Sequence, residues 1–564
     1  MTIDETADAN VAGLFERSAA RRGGAPGVVD ADGRVLWSFD DLGEAAARFA
    51  GGLADLGVGR GDRVLVLEPD PRQAVRAAVG AIWAGACVAF PPASLPARSA
   101  IRVAGEASPR AVVASVTLMA LAMASGTLRR AQVRVTSGRG RVPGTIGAAE
   151  LERHQPIGPQ STSASSPALL SYTTGSTGLA KAVVRTHGVL RAQHDALEAV
   201  RGLGDGDRDL AGLSTLVLHN LGSGVTSVLG PRRPGSAGYG RNVLAAIARG
   251  RATSAAGFPH LFESAVAQAD GGELAGLRSM YLGGSRVRPA LLAALRSRNT
   301  QAAITVVYGS TEAEPIATID AEEYVRLLEE HDPEAGICVG RIGPGLELRL
   351  QPGRDGDPTS ATEIAVGNIL VRGARASLSD GLEGWVDTGD VGRLDNAGRL
   401  WLLGRAANTV GTLHQLEAER AAEAQPWVGR AAFVGRLSPA QRGGLLAVQP
   451  VHWGRPDERA NQVRRLGQLA RDRTWQLERV MLFRRLPVVR GVAAKVDGER
   501  LRRLAKPGGG LASRLRAAID RSGSGGHPVK QRRVSVARED PDERRRPEPE
   551  RGSPKRTVKG EGVE

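Results

Sequence analysis

The stretch SYTTGSTGLAKAVVRTHG, Ser171 to Gly188, follows the apolar run PALL and precedes a helix expected to begin near Gly188. It crowds hydroxyls, glycines and one lysine between a strand and a helix. Gly175 and Gly178 allow tight backbone turns that bring N–H groups against phosphate oxygens. Thr173, Thr174, Ser176 and Thr177 add donors, and Lys181 adds positive charge. It is not a Walker loop, which requires lysine directly after the second glycine. Alone, a loop of this composition serves equally well as a solvated linker, so its neighbours decide the reading. On either side, short apolar runs such as DRVLVLE (62–68), AVVASV (111–116) and AAITVVYG (302–309) alternate with Ala/Leu-rich stretches of helical period. That alternation predicts an α/β fold with β-α units around largely parallel sheets, the sheets flanked by helices.

The chain has 564 residues, more than one compact domain usually holds, so several cores are expected. A large domain over 1–402 ends in GRLWLLGRAANTV (398–410). A small mobile α+β domain is expected over 403–505. From 506 the composition turns to KPGGG, SGSGG and an Arg/Glu/Pro-rich run with almost no large apolar residue. Residues 506–564 are therefore read as a disordered charged tail, unable to offset the entropy of ordering.

Further motifs follow in order. VVYGSTEAEP (306–315) places Tyr308, Gly309, Thr311 and Glu312 together, and MYLGGSRVRP (280–289) contains Gly283 and Gly284. GWVDTGDVGRLDNAGRLWLLGR (384–405) carries Asp390 and Arg405, and LPVVRGVAAKVDGERLRRLA (486–505) presents Lys495 after an apolar, small-residue approach. A carboxylate such as Asp390 can accept two hydrogen bonds from a ribose diol, and Glu312 offers a hard cation the oxygen ligand it prefers.

With the Ser171–Gly188 loop, these motifs resemble the adenylate-forming superfamily of acyl-CoA synthetases, peptide-synthetase adenylation domains and luciferases. The resemblance implies ATP and Mg²⁺ as cofactors and a carboxylic acid as substrate. It implies that the Ser171–Gly188 loop binds phosphate, that Gly283 and Gly284 cover the adenine, and that Tyr308 borders it. Thr311 would meet the α-phosphate, Glu312 would hold Mg²⁺, Asp390 would bind the ribose with support from Arg405, and Lys495 would bridge carboxylate and ATP during adenylation. Lys495, Glu312 and Thr311 are the expected catalytic residues.

The chain also departs from the pattern. Lys495 lies eight residues after Pro487 without the Thr-Gly-Lys turn of many acyl-CoA synthetases, and Ala406-Ala407-Asn408 stands where a charged hinge is usual. With LSTLVLHNLGSGVTSVLG (213–230) and ICVGRIGPGLELRL (337–350), these features are similar to the β-lactone synthetases of olefin biosynthesis. Three outcomes stay open: a long-chain β-hydroxy acid closed to a β-lactone, acyl transfer to CoA or a carrier protein, and a degenerate nucleotide-binding pseudoenzyme.

Composition narrows the classes. A formal charge of +15 would suit nucleic acid, but the basic residues are scattered and aromatic residues are only 4% of the chain, leaving few stacking platforms. No nucleic-acid partner is expected. Cys87 and Cys338 are the only cysteines, too few for a disulfide framework. No apolar run approaches the roughly 20 residues of a spanning helix, and the amino terminus lacks a secretory pattern, so a cytoplasmic location is expected.

Overall fold

The computed structural model describes residues 9–92, 95–124, 126, 128, 130–138, 140–174, 180–231, 236–352, 366–377, 384–437, 441–489 and 496–505, with backbone only at 173, 174 and 180. The expected tail over 506–564 lies outside the described residues, as do Gly175, Ser176, Thr177, Gly178 and Lys495.

The run DRVLVLE becomes strand Arg63–Leu67, buried on both faces after its first residue. Such continuous burial requires helices on either side. Helix Phe39–Asp55 supplies one layer; it starts where the Ser38 hydroxyl accepts from Asp41 N–H and buries Phe39, Leu42, Phe49 and Leu53. Helix Pro71–Trp83 starts with Asp70 as cap and proline in its first turn. Around Arg63–Leu67 a seven-stranded sheet forms, parallel throughout except for its last pair. That pair is the antiparallel pairing of Pro167–Thr174 with Ala180–Thr186, the two strands that flank the hydroxyl- and glycine-rich stretch in sequence.

The larger sheet has thirteen strands. Strands Thr226–Leu229, Arg208–Ala211, Ser254–Gly257, Ser279–Gly283 and Ala303–Ser310 run parallel, as β-α units require. Beyond them the expectation of largely parallel sheets fails. Ala313–Asp320, Ile337–Ile342, Arg399–Arg405, Val386–Leu394, Val366–Gly373 and Leu346–Gln351 pair antiparallel. The cause is loop length. Thr311 and Glu312 alone separate Ala303–Ser310 from Ala313–Asp320, and Asp395 to Gly398 separate Val386–Leu394 from Arg399–Arg405. Neither loop can hold a crossover helix, so each pair closes as a hairpin.

After Arg405, a 3₁₀ turn over Ala406–Asn408 leads to a mixed three-stranded sheet of Val428–Val434, Gly444–Pro450 and Leu477–Leu482. Helices Gln415–Glu423 and Pro456–Asp472 pack beside it over their own core of Phe433, Leu446, Val463 and Leu466. No helix among the described residues is long and apolar enough to cross a membrane.

Candidate active site

A cleft of about 1730 Å³ lies between the large sheets and the three-stranded unit. Lys181, Gly283, Gly284, Tyr308, Gly309, Thr311, Glu312, Asp390 and Arg405 all line it. Strand pairing explains the convergence. Thr311 and Glu312 form the two-residue tip of one hairpin, and Lys181 is the second residue of strand Ala180–Thr186, which pairs antiparallel with Pro167–Thr174. Asp390 and Arg405 face each other directly across a third pair.

The Asp390 carboxylate is engaged from two sides. Tyr308 Oη donates to its Oδ2 at 2.9 Å, and Arg405 Nε lies 3.1 Å from Oδ1. Arg405 also donates to the Thr388 carbonyl at 2.8 Å, while the Thr388 hydroxyl accepts from Asp390 N–H at 3.2 Å. Burial, reinforced by the Asp390 charge, holds the Tyr308 phenol well above its ordinary pKa, so it stays a donor. Gly389 has φ +71° at the preceding residue, a conformation that favours glycine.

Glu312 has 17% of its side chain exposed, and Lys181 Nζ stands 3.8 Å from its Oε1. That is an ion pair without a tight hydrogen bond. The Glu312 carbonyl accepts from Ser377 N–H at 2.7 Å, which fixes the hairpin tip. A carboxylate so placed on a cleft wall, with no shorter side-chain bond among the described residues, has the oxygen chemistry that suits a hard divalent cation. The glycines make close approaches: a Cβ on Gly283 would meet the Val307 carbonyl oxygen at 2.7 Å, and one on Gly284 would meet the Phe258 ring at 2.5 Å.

Thr173 and Thr174 belong to strand Pro167–Thr174, with only their backbone described. Lys495 falls between described flanks. Val488 bridges to Val496, Asp497 N–H donates to the Pro487 carbonyl at 2.8 Å, and Val489, Val496 and Asp497 line the cleft.

Sequence reasoning missed two polar features. Arg185, fully buried on strand Ala180–Thr186, lies 3.1 Å from Glu314 Oε1 and donates to the Ser171 hydroxyl at 3.2 Å. The available signal was a lone arginine inside the strand-like run AVVRT. Farther along the wall, His219 Nδ1 stands 3.0 Å from His194 Nδ1, with Glu198 3.5 Å from the other His219 ring nitrogen. No sequence spacing announced that row. One stretch of the wall is apolar, with Phe15, Val79, Ile82, Leu169, Leu197 and Leu216.

Comparison with known proteins agrees with this geometry. The model of the family described as AMP-binding enzyme matches residues 15–381. The chain is 28% identical to an olefin β-lactone synthetase of Stenotrophomonas maltophilia over 86% of this chain and 94% of that one. It is 28% identical to an olefin β-lactone synthetase of Xanthomonas campestris over 76% of this chain and 82% of that one. Among solved structures, an anthranilate CoA ligase in complex with anthranoyl-AMP superposes with a TM-score of 0.71 at 21% identity, covering 92% of this chain and 99% of that chain. That likeness establishes the shared fold. With the family match spanning most of the chain, the protein belongs to the AMP-binding enzyme family and is an adenylate-forming ligase.

Proposed function

We propose that the protein uses ATP to adenylate a long-chain β-hydroxy acid and then closes the acyl-adenylate to a β-lactone. The observation that carries the first half is the Asp390 carboxylate, oriented by Tyr308 and Arg405 toward the cleft where a ribose diol would sit. The substrate carboxylate attacks the α-phosphate and pyrophosphate leaves. Thr311 contacts the α-phosphate, residues 173–178 hold the phosphates with Lys181, and Gly283 and Gly284 cover the base beside Tyr308 and Gly309. Lys495 neutralises charge as two anions approach, a need that favours a flexible point charge. Glu312 would hold Mg²⁺, which supplies charge neutralisation at the phosphates. Residues 403–505 act as a lid that carries Lys495 to and from the cleft.

Support for lactone closure comes from the two olefin β-lactone synthetases that resemble this chain over three quarters or more of its length. The apolar wall of the cleft suits a long acyl chain. Closure needs no second substrate, because the β-hydroxyl is tethered beside the carbonyl it attacks. The test is incubation of a 2-alkyl-3-hydroxy acid with ATP and Mg²⁺ but no CoA. A product lighter than the acid by one water, with AMP and pyrophosphate in equal amounts, is expected. Product formed only with CoA or a carrier protein, at the thioester mass, would replace this reading with acyl transfer. Absence of any carboxylate-dependent pyrophosphate exchange into ATP would favour the pseudoenzyme.

A further inference from the structure

The row of His194, His219 and Glu198 has no part in the proposed adenylation or closure. His194 and Glu198 are four residues apart on helix His187–Arg201, so they share one face. His219 meets them from helix Ser214–Ser223. Both imidazoles are buried, yet both line the cleft. The close approach of the second helix depends on Gly222, where a Cβ would stand 3.0 Å from His194 Cε1 and 3.3 Å from its Nδ1. Ser223, the next residue, donates its hydroxyl to Glu198 Oε1. That same oxygen lies 3.5 Å from His219 Nε2.

Two facing ring nitrogens 3.0 Å apart cannot both carry a hydrogen toward each other, so the pair offers a lone pair where the rings meet. Glu198 adds a negative charge beside it. One ligand atom from each of the three residues lies within 4.8 Å of the other two. Bonds of about 2.0–2.1 Å in a tetrahedron place neighbouring ligand atoms roughly 3.3 Å apart. The set therefore has to contract by no more than about 1.5 Å. The Glu198 side chain, 37% exposed, has the freedom to supply that movement. Arg201, the cation beside His219, is paired with Asp209 at 2.6 Å and so repels an incoming ion little.

The donor types select the ion. Mg²⁺ and Ca²⁺ take oxygen ligands, whereas two imidazoles with one carboxylate suit Zn²⁺. Three protein ligands are the number found at zinc sites that keep a fourth position open. Here that position faces the cleft, because His194, His219 and Gly222 line it.

We propose that His194, Glu198 and His219 bind a divalent ion of the Zn²⁺ class on the cleft wall, with Ser223 orienting Glu198 from outside the ligand set. The fourth position takes water or another oxygen donor from the cleft. The site is distinct from Glu312, which offers oxygen alone, and it does not depend on the lactone reading.

The experiment uses the full chain, stripped with a chelator and dialysed. It is titrated with Zn²⁺ alone against a chromophoric chelator, and bound metal is measured after desalting. The wild type should keep about one equivalent, as one three-ligand site requires. Ser223→Ala should weaken the affinity roughly 10- to 100-fold, the usual effect of losing an outer partner. His219→Ala, His194→Ala and Glu198→Gln should each lose more than that. Glu198→Gln is nearly isosteric and changes a partly exposed side chain, so it keeps the test decisive if a histidine variant fails to fold. Glu312→Gln, and His154→Gln at the exposed pair with Asp55, should bind as the wild type does. Co²⁺ in place of Zn²⁺ should give the absorption bands of a four-coordinate ion, lost in Glu198→Gln. Failure of the wild type to retain Zn²⁺ would overturn the proposal. So would Zn²⁺ held equally well by Glu198→Gln and both histidine variants, or displaced by excess Mg²⁺, since either result would place the ion elsewhere.

Discussion

Tyr308 and Asp390 are 82 residues apart in sequence, yet the phenol donates to the carboxylate at 2.9 Å. The contact joins the hairpin that carries Thr311 and Glu312 to the strand pair that carries Asp390 and Arg405. Asp390 is therefore held by two partners before any nucleotide binds, and such preorganisation saves ordering cost on binding.

Removing that ground-state contact should act on binding. For Asp390→Ala, KM for ATP in the exchange reaction should rise about 10- to 100-fold, as expected for losing hydrogen bonds to a charged group, with a smaller change in kcat. Tyr308→Phe should give a lesser effect of the same kind, since Arg405 still holds the carboxylate. A fall confined to kcat in Asp390→Ala would reassign the residue to the chemical step.

Lys495 should behave oppositely. Its flanks are pinned at the cleft by the Val488–Val496 bridge and the bond from Asp497 to Pro487. Lys495→Ala should cut the adenylation rate roughly 10²- to 10³-fold, as for loss of a preorganised charge contact. ATP affinity, measured by equilibrium binding, should change little. Weakened binding with turnover spared would move Lys495 out of the charge-neutralising role.

Much of the cleft was legible because its residues sit in short local motifs. Gly309, Thr311 and Glu312 share one hairpin, and its two-residue loop fixes their relative placement whatever lies around it. Gly283 likewise marks a close approach to the Val307 backbone, and Gly284 a positive-φ position against the Phe258 ring. What stayed hidden depends on tertiary pairing. Arg185 and Glu314 are 129 residues apart, and each alone reads as an ordinary polar residue in a strand. The antiparallel half of the large sheet was hidden for a related reason. Apolar runs such as ICVGRI and RLWLLGR signal strands without signalling direction, which for Arg399–Arg405 the short loop after Val386–Leu394 sets. Arg286 is likewise close to Gly284 in sequence but meets acidic partners more than 130 residues later.

That arginine yields a stability prediction. Arg286 Nη2 lies 2.9 Å from Glu423 and Nη1 3.7 Å from Glu419, both on helix Gln415–Glu423, and the Arg286 side chain is 18% exposed. Glu419 is further held by Phe433 N–H at 3.0 Å and Gln415 Nε2 at 2.9 Å. Removing the arginine leaves two largely buried carboxylates near each other. Arg286→Ala should cost about 3 kcal/mol or more in denaturant unfolding, as for breaking a buried ion pair from one side. Hydrogen exchange should show the loss concentrated in helix Gln415–Glu423. A loss within about 0.5 kcal/mol, the range of an ordinary surface substitution, would show that the cluster does not bind the two units together.

The last prediction concerns acid. His414 precedes helix Gln415–Glu423, its Nδ1 3.4 Å from the Thr409 hydroxyl, and burial pushes its pKa down to about 4. An unfolded imidazole titrates near 6.5, so between those values the unfolded chain binds a proton that the folded chain refuses. Stability tied to His414 is therefore complete above about pH 6.5, declines as pH falls toward 4, and levels off below. The full shift corresponds to about 3 kcal/mol, and partial solvent access lowers this to roughly 1–3 kcal/mol. His194, His219 and His260 are shifted in the same direction by burial, so the wild-type slope has several contributors. The informative quantity is the difference between wild type and His414→Gln, which removes one titrating site and keeps a polar side chain. Unfolding free energies from pH 7.5 to pH 4.5 should converge as pH falls, the variant losing less than the wild type. Curves that stay parallel across that range would mean His414 protonates as readily in the folded chain as in the unfolded one.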